Sequence, residues 1–446
     1  MKAFKAYDIR GIYNEDFNKE DVYKIGYFLP KLLNADKVLV GRDARSSSDE
    51  IFEYLSKGIM DSGADVYAIG LSTTPMVYFA TAKFNFDASV QITASHNPKE
   101  YNGLKISKTG ALPVGYESGL AELEKMVETQ QIVVSEKKGQ LHHYEVKEEY
   151  IKFLKQYAPD ISNLTIGIDC SNGMASILIK DILGSSPKYL YDTLDGSFPN
   201  HEPNPLIEEN VEALKKLVLQ NKCDIGIIYD GDADRVIFVD EKAQFISPDL
   251  IIGVIGHYYL EKEKGNVLHD IRTSKSVSEY IQKLGGTPHM WKVGHAYAKT
   301  KLREIQAIYG GELAGHYYFR DFFNCDSGVL ASLIVLNVVS RMKKAGKALS
   351  ALIDSIKAYA YSGEINFRIE KKQEAMEQLK NEFTTKEEPV VAFYDFDGYR
   401  IEFSHWWFNV RPSNTEPYLR LVVEAKNDAL LQQKLSELQM VLKNFM

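Results

Sequence analysis

Ala88-Ser89-Val90-Gln91-Ile92, running into Thr93-Ala94-Ser95-His96-Asn97-Pro98, reads as a strand that ends in a sharp turn. Pro98 fixes its own φ and pushes Asn97 out of helical space, so the chain turns here. A hydroxyl, Ser95, is thereby held at the tip of a strand beside the imidazole of His96. That suits a serine that carries or donates a group, although six such residues alone read more readily as a surface turn. Toward the N-terminus, residues 37–41 form an apolar strand that ends in Arg42-Asp43. Ser47 with Glu50 offers a capping box, and the helix it opens places Ile51, Tyr54, Leu55 and Ile59 on one face. Asp61-Ser62-Gly63 stops that helix, and 64–69 is the next strand. Strand, helix, strand, helix and then the Ser95 strand make a parallel α/β unit. Such units bind ligands beyond the carboxyl ends of their strands, where Ser95 falls.

Further along, a lysine- and glutamate-rich patch at 135–149 marks a boundary. A second unit follows, with a strand at 164–169, the turn Ser171-Asn172-Gly173, a helix at 174–183, and an irregular loop holding Pro199, Pro203 and Pro205. A helix at 208–221 presents Val211, Leu214, Leu217 and Val218 on one face, and the strand 224–229 comes next. A third unit runs over 247–361, with helices at 249–264 and 274–284, a strand at 266–270, a glycine-rich loop at 311–316 and a long apolar helix at 326–344. From Gly363 the texture changes to strands at 390–393, 399–403, 406–410 and 418–424, closed by a helix at 428–444. This last part reads as α+β and antiparallel, a lid rather than another parallel unit. No convincing repeat, low-complexity tract or G-x-G-x-x-G is present.

The 446 residues are too many for one core and imply about three to four domains. A net charge of -8 argues against non-specific nucleic-acid binding, so an anionic substrate would need locally gathered Arg and Lys. The first residues show no apolar signal region, and the longest apolar stretch, 329–339, is too short for a bilayer. Three scattered cysteines, Cys170, Cys223 and Cys325, read as reduced packing residues. The expectation is a cytoplasmic protein, and the Asn163-Leu164-Thr165 sequon is discounted.

Asp230-Gly231-Asp232-Ala233-Asp234-Arg235 is the strongest single signal. Three carboxylates at alternate positions after a buried strand can converge on one divalent cation, with hard oxygens favouring Mg²⁺ or Ca²⁺. Unpaired, they would repel, so a cation or Arg235 must compensate them. Glu241 falls at the twelfth position of an EF-hand count from Asp230, but Arg235 stands where that loop needs Gly, which rejects the motif. A phosphatase with Asp230 as nucleophile and a solvated acidic turn are the other readings. Gly310-Gly311-Glu312-Leu313-Ala314-Gly315-His316 offers a carboxylate and an imidazole suited to sugar hydroxyls, or simply a glycine-rich turn. Arg411-Pro412-Ser413-Asn414-Thr415-Glu416-Pro417 gathers a guanidinium, two hydroxyls and an amide, a cradle for a dianion, with Arg420 nearby. Lys105 in Asn102-Gly103-Leu104-Lys105 can transfer a proton if desolvated; as a lone feature it reads as an exposed lysine. Asp270-Ile271-Arg272 and Lys292-Val293-Gly294-His295 each end a strand with a cationic group.

T-A-S-H-N-P, D-G-D-A-D-R, G-E-x-x-G-H and R-P-S-N-T-E-P, in this order, resemble the motifs of the α-D-phosphohexomutases. The opening K-A-Y-D-I-R-G is similar to the bacterial and archaeal phosphomannomutase/phosphoglucomutase group. The resemblance covers essentially the whole chain. It implies an α/β fold of four domains around a central cleft, at 1–144, 145–243, 244–361 and 362–446. Three would be related α/β units with mixed, mostly parallel sheets, and the last a mobile α+β lid. It further implies that Ser95 is a phosphoserine, that Asp230, Asp232 and Asp234 hold Mg²⁺ with Ser95 completing the shell, and that Lys105 is a general acid/base. Arg10, Arg235 and His96 would line the phosphoserine side and Tyr7 the cleft. Arg272 and His295 would face substrate, Glu312 and His316 would read sugar hydroxyls, and Arg411, Ser413, Asn414 and Thr415 would hold the non-reacting phosphate. The implied reaction moves phosphate between O1 and O6 of a hexose through a hexose 1,6-bisphosphate. The implied partner is a small hexose phosphate, with no nucleic acid or membrane, and the chain is a monomer or small homo-oligomer. Where the family's sugar loop usually has serine, this chain has Ala314, so sugar preference among mannose, glucose and an amino sugar stays open. An Asp230 phosphatase, a phosphoglucosamine mutase and a non-catalytic sugar-phosphate sensor are the alternatives.

Overall fold

Ala88–Ile92, Ile225–Tyr229 and Ile166–Asp169 are buried along their whole length, as parallel strands covered by helices on both faces must be. A computed structural model of the protein describes residues 1–385, 388–413 and 418–446. Its strands form four sheets. In the first, Lys37–Arg42 pairs in parallel with Asp65–Leu71 and Ala88–Ile92, and Tyr101–Lys108 then pairs antiparallel with Ala88–Ile92. In the second, Ile225–Tyr229 is parallel to Ile166–Asp169 and antiparallel to Val236–Asp240. In the third, Tyr309–Gly311 is parallel to Asn266–Asp270 and antiparallel to Tyr317–Phe319. Each unit thus makes the same move: a buried parallel strand ends, the chain turns, and an antiparallel strand returns. The three turns carry Ser95, Asp230 to Asp234, and Glu312 to His316. The fourth sheet, which includes Ala360–Arg368, Tyr399–Glu402, Trp406–Pro412 and Tyr418–Ala425, is antiparallel throughout. The α/β class with mixed sheets and an α+β fourth unit is therefore as expected.

Helix Thr74–Lys83 shows why the units share a core. Thr74 through Thr81 are all buried, so it has no solvent face. Phe79 packs on Tyr150 and Phe153 beside Phe322, drawing the first three units together. No helix among the described residues is long and apolar enough to cross a membrane. The helix Gly328–Lys344 is core, with Gly328 through Leu336 buried.

Some local expectations change. Ser47 precedes helix Ser48–Ser62 but makes no side-chain cap; its Oγ accepts from Asn102 Nδ2 at 2.8 Å. The capping box is at Asn18 and Asp21, opening Lys19–Leu33. The charged patch at 135–149 is not only a boundary: Leu141–His143 adds an edge strand to the first sheet, and Lys147–Lys155 is a helix. The helix expected over 249–264 ends at Tyr259.

The lid docks on the third unit through buried polar groups. Arg400 lies over the Trp407 ring at 3.6 Å and donates to the carbonyls of Ile271 and Thr273 at 2.8 Å each. Glu424 accepts from Trp407 Nε1 at 2.7 Å and from the Lys275 N–H at 3.0 Å, at the start of helix Lys275–Lys283. Burial pushes the Glu424 carboxyl up to about 7 from an ordinary 4.5. The folded protein therefore holds a proton there that the unfolded chain releases between those two values. Its contribution to stability is full below pH 4.5 and is lost as pH rises through 7. Glu424→Gln should remove that slope, raising stability at pH 8 by at most about 3 kcal/mol and leaving it unchanged near pH 4.5. Thermal melting across pH reads this, and parallel pH curves for variant and parent would contradict it.

Candidate active site

Ser95 leaves the end of its strand at φ 54°, a left-handed conformation that a non-glycine residue adopts only when its surroundings impose it. The imposing group is Arg45, whose guanidinium donates to the carbonyls of Ser95 at 3.0 Å, Asn97 at 2.7 Å, Pro98 at 2.5 Å and Tyr101 at 3.0 Å. Asp43 in turn pairs with Arg45 Nε at 3.1 Å. The Ser95 hydroxyl then points at the second unit and donates to Asp230 Oδ2 at 2.8 Å, with His96 Nδ1 3.3 Å away. Gly231 is what permits this approach: a Cβ there would lie 2.4 Å from the Ser95 carbonyl oxygen.

The acidic loop is held by all three α/β units. The carbonyls of Gly231, Asp232 and Ala233 accept, in turn, from the N–H groups of Met174, Thr74 and Gly328 at 2.8, 3.1 and 3.1 Å. Each donor stands at the start of a helix, in the second, first and third unit respectively. Met174 opens only a 3-10 turn, but the α-helix N-termini at Thr74 and Gly328 favour negative charge, which helps to explain how three fully buried aspartates are tolerated. Lys105 completes the compensation, with Nζ 2.6 Å from Asp232 Oδ2 and 2.5 Å from Asp234 Oδ2. Thr74 Oγ1 adds a bond to Asp232 Oδ2 at 2.5 Å. Arg235, expected to share this task, stands farther off, 3.8 Å from Asp230 and 4.0 Å from Asp234. Burial alone would lower the Lys105 ammonium, but Asp232 and Asp234 outweigh it and hold it above its ordinary value. In this arrangement Lys105 is a cation paired with both carboxylates. Burial, and then Asp232 and Asp234, push the Asp230 carboxyl well up.

One ligand atom from each of Asp230, Asp232 and Asp234 lies within 4.8 Å of the others. Asp232 Oδ1 and Asp234 Oδ1 are buried without a hydrogen-bond partner among the described residues. An all-carboxylate set with unsatisfied buried oxygens fits a hard divalent cation.

The third turn reaches the same centre. His316 Nδ1 is 3.9 Å from Asp234 Oδ1 and bonds Asp326 Oδ2 at 2.6 Å. Asp326 is itself paired at 2.8 Å with Lys299, which is fully buried over the Tyr78 ring. His295 sits 5.9 Å from His316 and from Tyr7, ring to ring, and its Nδ1 has no hydrogen-bond partner among the described residues. Burial and Lys299 push its imidazole well below the ordinary range, as burial, Arg235 and Arg10 do for His96. Arg10 reaches the serine loop through Asn97 Oδ1 at 2.9 Å, and Tyr7 donates to the Val293 carbonyl at 3.0 Å. Glu312 accepts from the Gly294 N–H at 2.6 Å and the Tyr318 hydroxyl at 2.7 Å.

A second cationic group lies where the lid meets the third unit. Arg272 is bidentate on Asp270 and reaches Glu364 at 3.2 Å. Arg411 at 3.7 Å and Arg420 at 3.2 Å face the same Glu364 carboxylate. Burial opposes ionisation of Glu364, but the guanidinium of Arg272 and then those of Arg411 and Arg420 hold it charged. Ser413 is buried at the end of its strand, and its N–H bonds the Tyr418 carbonyl. Asn414 and Thr415 lie outside the described residues. Sequence reading missed Arg45, Thr74, Lys299, Asp326 and Glu364. Each sits in a stretch without motif character and acquires its partner only through the fold.

Matches to known proteins agree with this arrangement along the whole chain. The models described as phosphoglucomutase/phosphomannomutase α/β/α domains I, II and III match residues 1–132, 148–243 and 247–359, and the C-terminal domain model matches 364–438. The chain belongs to the phosphoglucomutase/phosphomannomutase family. Family membership makes it a phosphohexomutase, an intramolecular phosphotransferase. A phosphomannomutase of Escherichia coli is 36% identical over 460 residues, covering 99% of both chains. One from Vibrio cholerae is 38% identical over 462 residues, covering 99% of this chain and 98% of its own. Among solved structures, a phosphoglucomutase/phosphomannomutase family protein from Burkholderia thailandensis superposes with a TM-score of 0.88 at 28% identity, covering 99% of this chain and 97% of that one.

Proposed function

We propose that this phosphohexomutase transfers phosphate reversibly between O1 and O6 of mannose, glucose or both, through a phosphoserine at Ser95 and a hexose 1,6-bisphosphate. The observation that carries the reading is the Ser95 hydroxyl 2.8 Å from Asp230, where the turns of the first and second units meet. Asp230, Asp232 and Asp234, with the Ser95 oxygen, would hold Mg²⁺, whose bound charge offsets that of the transferring phosphoryl group.

The chain's own residues supply the rest. As the Ser95 O–P bond breaks, a bond forms from phosphorus to the free hydroxyl of the sugar, and that hydroxyl loses its proton. His295, kept neutral by burial and by Lys299, is able to receive it. Lys105, Arg10 and Arg235 place positive charge around the serine loop, and His96 flanks the hydroxyl. After the bisphosphate reorients, its other phosphate returns to Ser95. Arg272 and Arg411, with Ser413, Asn414 and Thr415, hold the phosphate that is not reacting, and Tyr7 lines the cleft. Glu312 and His316 read the sugar hydroxyls, with Ala314 removing one contact that a serine there would make. The domains are taken as 1–144, 145–243, 244–361 and 362–446, and the protein as a cytoplasmic monomer or small homo-oligomer.

The serine is favoured over Asp230 as the group that becomes phosphorylated because Asp230 is already engaged. Its Oδ2 accepts from Ser95 and its Oδ1 from the Arg235 N–H at 3.2 Å. Turnover of mannose 1-phosphate, glucose 1-phosphate and glucosamine 1-phosphate, with Mg²⁺ and glucose 1,6-bisphosphate present, tests the proposal. Exchange with the first or second is expected. A preference for the amino sugar would move the assignment, and a phosphoenzyme cleaved by hydroxylamine would mark an acyl phosphate and sink the serine.

A further inference from the structure

The peptide between Val293 and its neighbours is gripped from three sides. Its carbonyl accepts from Tyr7 of the first unit at 3.0 Å. Its N–H donates at 2.8 Å to Asp397 Oδ2 of the lid. The next N–H, that of Gly294, donates to Glu312. Gly294 has φ 124°, and a Cβ there would lie 2.6 Å from the Tyr7 ring, so this segment is built to bring the first unit's tyrosine close. His295 follows at once.

Asp397 lies in the turn that joins Ala392–Tyr394 to Tyr399–Glu402. The residue before it, Phe396, stacks on Trp291 of the third unit with ring centroids 5.6 Å apart and planes 25° apart. Gly398 after it has φ 68°, and a Cβ there would lie 2.2 Å from the Val410 carbonyl oxygen. The turn is therefore fixed to the strand Trp406–Pro412, which carries Arg411. One rigid piece of the lid thus carries the phosphate-side arginine at one place and the Val293 contact at another.

We propose that this turn makes Asp397 a positioning residue: when the lid closes, its carboxylate takes the Val293 N–H and sets the Gly294-His295 backbone against Glu312 and Tyr7. Phosphate capture by the lid and placement of the proton-transfer imidazole then become one event. A lid that must close before the imidazole is in place limits reaction of the phosphoserine with water in the open state. The inference rests on His295 acting in proton transfer, as proposed above.

The test compares Asp397→Ala, Asp397→Asn and His295→Ala by steady-state kinetics on the preferred hexose 1-phosphate with Mg²⁺ and glucose 1,6-bisphosphate. Asp397→Ala should lower kcat by about tenfold with KM changed less than threefold, since misplacing a catalytic group costs rate rather than ground-state binding. Asp397→Asn, which keeps a side-chain carbonyl acceptor, should restore kcat to within about threefold of the parent. Parent-like kinetics for Asp397→Ala, or equal loss for Ala and Asn, would overturn the proposal. Should Asp397→Ala lose its parent melting temperature, Phe396→Ala replaces it: a kcat loss there supports the seating of the turn, and parent kcat overturns it. His295→Ala separates the two readings. Full activity in that variant would remove the premise, whereas an inactive His295→Ala beside an indifferent Asp397→Ala would remove only the positioning role.

Discussion

Ser95→Ala is expected to lose mutase turnover by at least about 10⁴-fold while keeping the fold, because the group that accepts and returns phosphate is gone and no other nucleophile takes its place. The structural cost is small by comparison. The variant loses one buried hydrogen bond to Asp230, about 1–3 kcal/mol when the partner is left unsatisfied. The Arg45 clamp on the loop carbonyls does not involve the hydroxyl, so the left-handed turn persists. Lys105, Thr74 and the backbone N–H groups of Met174, Thr74 and Gly328 still hold the acidic loop. The measurements are mutase turnover, transfer of labelled phosphate from glucose 1,6-bisphosphate to the protein, and thermal melting. The parent should acquire a label stable to hydroxylamine and the variant none. Label retained by Ser95→Ala, or mutase activity near that of the parent, would show that phosphate passes through another group.

Ser95 and the aspartates could be read from the chain because each announces itself locally. A turn forced by Pro98 after an apolar strand and three carboxylates at alternate positions both need an explanation within a few residues. The repeated parallel-then-antiparallel turn in the three units left no trace as a repeat, since the returning strand Tyr317–Phe319 is only three residues long and sequence similarity is not needed to hold the pairing. The edge strand Leu141–His143 was hidden by its setting: an edge strand packs little, so charged neighbours are tolerated and the stretch looks like linker. Helix Thr74–Lys83, expected from the strand-helix order, is buried all round, so no polar face marks its period or its bounds. Residues that work through distant partners were silent for another reason. Lys299 neutralises Asp326, Glu364 gathers guanidiniums from the lid and the third unit, and Arg45 braces the serine loop, yet alone each is an ordinary charged residue. Lys105 was legible as a candidate, but not the charge balance around it. Burial was foreseeable, while the two carboxylates that reverse its effect come from more than a hundred positions away.

Arg45→Met is expected to combine a stability loss of about 3–5 kcal/mol with a fall in kcat of roughly a hundredfold, although Arg45 makes no bond to the serine hydroxyl. The Arg45 side chain is fully buried between Asp43 and four backbone carbonyls, and its guanidinium lies 5.0 Å over the Phe198 ring of the second unit. Removing it strands the buried Asp43 charge, which accounts for the stability term. It also frees the carbonyls of Ser95, Asn97, Pro98 and Tyr101, which then have no reason to converge. Without that convergence the unfavourable left-handed φ of Ser95 relaxes, and the hydroxyl leaves the position 2.8 Å from Asp230. A displacement of about 1 Å at a reacting group is enough for a hundredfold loss. Arg45→Lys separates the two contributions: it keeps a charge beside Asp43 but has no planar fork to span four acceptors. It should recover part of the stability while kcat stays low. Urea denaturation and turnover on the same preparations read both quantities. A destabilised Arg45→Met that turns over at the parent rate would show that the loop keeps its shape without the clamp.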